Sequence, residues 1–61
     1  MLVLTRRKNQ RIVIEVPGHE PIFIQVAETY PSKVHIGIEA SNDVTINREE
    51  IYRKILKEKN Q

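Results

Sequence analysis

Four cations, Arg6, Arg7, Lys8 and Arg11, stand within the first 14 residues, and no acid precedes Glu15. Residues 15–50 then carry seven of the eight acids, so the net charge of +2 hides an uneven distribution. A strip of uncompensated cations attracts anions, and a nucleic-acid backbone is a natural extended ligand for it. The same charges would also keep a short edge strand soluble. Composition alone leaves both readings open.

Catalysis has little to work with. His19 lies in a Pro/Gly loop and His35 on the polar face of an extended segment. Neither has neighbours that would complete a metal ligand set or a nucleophile–base pair. Glu49 and Glu50 are adjacent, so on a helix they point in different directions and do not form a dyad. They read as acids favoured by the helix dipole. The only glycines are Gly18 and Gly37, too few for a phosphate-cradling loop. Without cysteine there is no disulfide framework or thiolate metal site, a usage that suits the cytoplasm. No enzymatic activity, cofactor or metal is expected. Phe23, Tyr30 and Tyr52 are the only aromatics and do not cluster, which argues against a base-stacking sheet. Contact with nucleic acid would therefore rest on backbone groups, cations and shape.

The elements that must position these residues follow from alternation. Residues 2–7 read as a strand with Leu2, Leu4 and Arg6 on one face and Val3, Thr5 and Arg7 on the other. After the polar turn Lys8-Asn9-Gln10, residues 11–16 alternate again, with Ile12, Ile14 and Val16 on one side. Pro17 to Pro21 is the clearest loop. Residues 22–26 form a third strand with Ile22, Ile24 and Val26 facing one way. Tyr30-Pro31-Ser32 turns the chain into a fourth strand at 33–39, with Val34, Ile36 and Ile38 inward. Residues 40–43 turn into a short fifth strand at 44–46. Asn47 then suits an N-cap, with Glu50 completing a capping box and Ile46 and Ile51 a hydrophobic staple. The helix of about three turns carries Ile51, Ile55, Tyr52 and Leu56 as an apolar stripe.

Sixty-one residues allow one domain, residues 1–61, and a domain of this size is marginal alone. Lacking disulfides and metal, the chain is expected to gain burial by oligomerising. The apolar run Leu2, Val3, Leu4 is too short for a secretory signal, and its charges follow rather than precede it. No stretch approaches the ~20 apolar residues of a membrane span.

Taken together, MLVLTRR (1–7), VHIGIEA (34–40) and VTINREEIY (44–52) resemble the CsrA/RsmA family of bacterial carbon storage regulators. The resemblance covers nearly the whole chain in order. It implies a mainly β fold of five short strands plus one C-terminal helix, assembled as a strand-swapped homodimer with two mixed sheets. In that arrangement the first and last strands of each chain complete a sheet built from the middle three strands of the partner. Post-transcriptional regulation is also implied: binding of GGA motifs in hairpin loops or single-stranded mRNA leaders, controlling translation and mRNA stability. Partners would be mRNA, small RNAs with GGA motifs that titrate the protein, and a second copy, with room for a protein antagonist.

Carried over by match, Leu4, Thr5, Arg6 and Arg7 supply one side of the RNA site, and Ala40, Val44, Ile46 and Arg48 the other. Arg48 stands out because the helix dipole disfavours a cation there unless an external anion compensates it. Departures from the family pattern mark a divergent member. Lys8-Asn9-Gln10 replaces a Gly-Glu pair, His35 a frequent arginine, Ser41 a proline and Asn47 a histidine, and the Pro17–Pro21 loop is longer. Two other classes remain open: a ribbon-type DNA-binding repressor dimer, and an interaction module that has lost RNA binding.

Overall fold

The computed structural model describes residues 1–59. The elements are β1 (Leu2–Arg7), β2 (Arg11–Glu15), β3 (Ile22–Gln25), β4 (Lys33–Ile38), β5 (Thr45–Arg48) and α1 (Glu49–Lys59). These are the five strands and one helix that alternation and helix signals predict. They form two sheets, one pairing β1 with β4 and the other ordered β3–β2–β5. All three pairings within the chain are antiparallel.

Local chemistry explains the connections. Asn9 takes a φ of 69°, a left-handed conformation that asparagine tolerates better than most residues. The Gln10 N–H closes that turn on the Arg7 carbonyl at 3.0 Å, and the Gln10 side chain accepts from the Arg7 N–H at 2.8 Å. Val26 locks the turn from outside, accepting from the Asn9 N–H and donating to the Gln10 carbonyl. Pro17 and Gly18 occupy the centre of a type II turn. Gly18 has φ 74°, and the His19 N–H reaches the Val16 carbonyl at 3.0 Å.

Burial is concentrated in few residues. Leu4, Ile12, Val13 and Val26 form the apolar core, with Ile12 and Val13 fully buried on opposite faces of the central strand β2. Both faces of β2 are therefore covered, and α1 lies against β2 and β5. Strand β3 is different. Ile22 and Ile24, which share a face, are about two-fifths exposed, as is Phe23. As an edge strand β3 has a neighbour on one side only, and within this chain its apolar side chains are only partly covered.

The helix start also departs from the cap pattern. Asn47 is not the N-cap: it is paired with Val13 in the sheet, β5 continues to Arg48, and α1 begins at Glu49. Ladder hydrogen bonds to β2 hold residues 45–48 extended, and this tertiary pairing overrides a local capping signal. Glu50 bonds elsewhere, as described below.

Candidate functional site

The cationic strip does not act as a unit. Arg6 is only 4% exposed, and a buried guanidinium must be paired. Its two terminal nitrogens donate to the Glu50 carboxylate at 3.0 and 2.9 Å, while Nε and Nη1 reach the backbone carbonyls of Thr5 and Arg11. This bidentate grip is the main reason that the Glu50 carboxyl titrates at about 2; its own backbone N–H and the more distant Arg48 charge add to it. The same hydrogen bonds raise the Arg6 pKa.

Arg11 is likewise committed. It pairs with Glu49, which Arg53 also contacts at 3.2 Å, and the Arg11 hydrogen bond chiefly lowers the Glu49 pKa. Its guanidinium lies 4.7 Å from the Phe23 ring centroid, and Phe23 meets Tyr52 edge-on at 6.1 Å. Two of the three aromatics thus cluster in space although they are far apart in sequence. The cluster joins β2 and β3 to α1 and leaves one face of Phe23 covered by an arginine. Lys8 lies 3.6 Å from Glu28 at the surface. Of the N-terminal strip, Arg7 alone has no acidic partner among the described residues.

The remaining site residues fall into three places. Ala40, Val44 and Ile46 line an open cleft of about 490 Å³, together with Leu2, Ile38 and Glu39. This cleft lies where the β4–β5 connection passes the start of β1. The connection is braced by the Val44 N–H on the Ser41 carbonyl at 3.1 Å and by the Ser41 hydroxyl on Asp43 at 2.6 Å. Leu4 is buried, and the register places it with Arg6 on one face of the β1–β4 ribbon. Thr5 and Arg7 share the other face, where Thr5 lies opposite His35 and Arg7 opposite Lys33. The Thr5 hydroxyl and His35 Nδ1 are hydrogen-bonded at 2.9 Å.

Arg48 stands apart from these. It is exposed, ends β5 directly before α1, and forms no ion pair among the described residues. Within one chain β1 and β5 belong to different sheets, so the two predicted halves of the site do not share a strand edge. Sequence reasoning missed Lys33, His35, Leu2 and Glu39 as neighbours of the site. Only the β1–β4 pairing brings the first two beside Arg7 and Thr5, and alternation along one strand does not name its partner.

Among the described residues no cluster of three or more His, Asp or Glu side chains could hold a metal ion, and no helix is long and apolar enough to cross a membrane. Short antiparallel strands, a single closing helix and chemistry made of arginines and strand-end backbone define a small β-protein built around charge and sheet edges. More particularly, the chain belongs to the CsrA family, a global regulator protein family whose pattern matches residues 1–57. It is 46% identical over 61 residues to the translational regulator CsrA of Halothermothrix orenii, covering all of this chain and 70% of that protein. The translational regulator CsrA of Geobacter metallireducens is 47% identical over 58 residues, 95% of this chain and 69% of the relative. That of Thermotoga petrophila is also 47% identical over 58 residues, 95% and 65%. No solved structure matches the chain with significance.

Proposed function

We propose that this protein is a post-transcriptional regulator that binds GGA motifs in hairpin loops or single-stranded mRNA leaders, controlling translation and messenger stability in the cytoplasm. Small RNAs with repeated GGA motifs would compete for the same site. The observation that supports this most is the cleft gathering Ala40, Val44 and Ile46, with Arg48, which has no acidic partner among the described residues, at the end of the strand that holds Ile46. Loop bases are splayed from the stem and offer their edges, whereas a duplex hides them. Backbone N–H and C=O groups of an extended segment are suited to those edges, and arginine to the phosphates. The names of the relatives, all translational regulators, agree with this reading.

A gel shift tests it. A hairpin with GGA in its loop should bind at least ten times more tightly than the same hairpin with CCA. Equal binding of the two, or preference for duplex DNA, would overturn the proposal.

The working unit in this proposal is a strand-swapped homodimer. In it β1 and β5 of each chain exchange their pairings with β4 and β2 of the same chain for those of the partner, and so complete a sheet of the partner's β2, β3 and β4. Supporting it are the exposed Ile22, Phe23 and Ile24 on an edge strand and the small core of a single chain. Burying a fully exposed side chain of this size stabilises by about 1.5–3 kcal/mol, so covering the two-fifths left open contributes roughly 0.6–1.2 kcal/mol for each of the three. Sedimentation at micromolar concentration should give a dimer. A folded monomer there would exclude the swapped arrangement.

A further inference from the structure

We infer that the RNA site continues across the outer face of the β1–β4 ribbon, where Lys33 joins Arg7 in holding a phosphodiester and Tyr30 stacks on a neighbouring unpaired base. The inference rests on the RNA-binding reading above and extends it to nucleotides beside the GGA loop.

The charge pattern carries the first part. Arg7 and Lys33 are directly opposite each other at the end of the ribbon, and both are exposed. Like charges directly across an antiparallel pair repel, so this arrangement costs stability unless an anion lies between them. No acid of the described residues pairs with either one, whereas Arg6, Lys8, Arg11 and Arg53 all have carboxylate partners. The next pair inward on the same face is Thr5 with His35, polar and hydrogen-bonded to each other. Protecting a ribbon edge does not require two facing cations and a polar pair in one row. A phosphodiester between the two cations relieves the repulsion and leaves the strands paired.

The second part comes from the turn that enters β4. Tyr30 is completely exposed and stands three positions before Lys33 in the chain. The Thr29 hydroxyl donates to the Pro31 carbonyl at 2.6 Å, which ties the backbone on either side of Tyr30. An aromatic ring held in water a few residues from a cation is a combination that suits single-stranded nucleic acid: bases stack on the ring while the cations track the backbone. Of the three aromatics, Tyr30 is the one left available, because Phe23 and Tyr52 contact each other.

Fluorescence anisotropy on the full chain tests the inference with three probes. These are a GGA hairpin, the same hairpin with single-stranded tails, and the tailed hairpin with abasic sugars in place of the tail bases. The native protein should bind the tailed hairpin about five-fold or more tightly than the abasic-tailed one, the low end for one stacked base. Tyr30→Ala should abolish that difference and Tyr30→Phe should keep it, because stacking needs the ring and not the hydroxyl. Lys33→Gln should lower the slope of log affinity against log salt by about one unit on the tailed probe. If the native protein binds the hairpin but ignores the tail bases, or if Tyr30→Ala keeps the gain, the inference falls while the RNA reading stands. If no probe is bound, the RNA reading fails and takes the inference with it. Thermal melting of the two Tyr30 variants, with the ring wholly in solvent, should match that of the native protein, whereas Lys33→Gln, which relieves the repulsion, should melt no lower.

Discussion

Arg48→Ala should weaken binding of a GGA hairpin by roughly ten-fold or more, whereas Lys57→Ala at the same salt should change it less than about two-fold. Hydrogen bonds to charged groups contribute about 1.5–3 kcal/mol, and 1.4 kcal/mol is a factor of ten. Both substitutions remove one positive charge from an exposed side chain, so any difference reports position. Arg48 ends β5, the strand whose other residues, Val44 just before it and Ile46 within it, line the cleft. It precedes the first helical residue, where the dipole opposes a cation and two glutamates follow. Yet neither glutamate forms an ion pair with it, because Glu49 is held by Arg11 and Arg53 and Glu50 by Arg6, and Arg48 acts on Glu50 only through its charge. Lys57 lies in the last turn of α1, where its contribution is a screened field. Arg48→Lys should recover only part of the loss, since lysine lacks the planar fork that grips phosphate at two points. Equal losses from Arg48→Ala and Lys57→Ala would mean that the interaction is electrostatic without a formed site.

Glu50→Gln should lower stability by about 1–3 kcal/mol, because it leaves the buried Arg6 guanidinium with neutral partners only. For a domain of this size each kcal/mol moves the melting midpoint by roughly 4–8 °C. The Glu50 side chain is 57% exposed, so solvent screens the pair and the figure is well below that of a fully buried one. The pH dependence follows from the same contact. With a carboxyl lowered from 4.5 to about 2 in the folded chain, the stabilisation is complete above the unfolded value. It is lost as pH falls from about 5 towards 2. Glu49, lowered by Arg11, acts in the same direction. Native protein should therefore melt progressively lower across that window, and Glu50→Gln should show a flatter acid limb. A variant that melts like the native protein at pH 7 would show the pair to be surface decoration. The result also bears on Arg6, which resemblance places in the RNA site. Arg6→Ala removes a core contact and a cation together, whereas Glu50→Gln disturbs the contact and keeps the cation. Hairpin binding by folded Glu50→Gln would separate the two roles.

Much of the architecture was legible along the chain because its signals are local. Alternation between Leu2 and Arg7, and again from Lys33 to Ile38, marks strands without reference to any partner. Pro17 and Gly18 specify their turn through their own backbone preferences, and Asn9 admits the left-handed bend that ends the first strand. Where a local signal met a tertiary one, the tertiary one prevailed. Asn47 has the side chain of an N-cap, but pairing with Val13 keeps it in the sheet.

The sequence by itself determined the family, the order of five strands and one helix, and the excess of positive charge at the N-terminal end. What each of those charges does was decided only by the tertiary structure. Arg6 meets Glu50 across 44 residues and Arg11 meets Glu49 across 38, so two members of the strip are neutralised by acids that sequence distance hides. Among the described residues Arg7 and Arg48 have no such partner and stay available to a ligand. The physical reason is that a period of two names the faces of a strand but not its neighbour or its register. The pairing of Arg7 with Lys33, the contact of Phe23 with Tyr52, and the exposure of Ile22 and Ile24 all follow from that choice of neighbour. Burial and charge pairing belong to the packed chain, and no residue carries them alone.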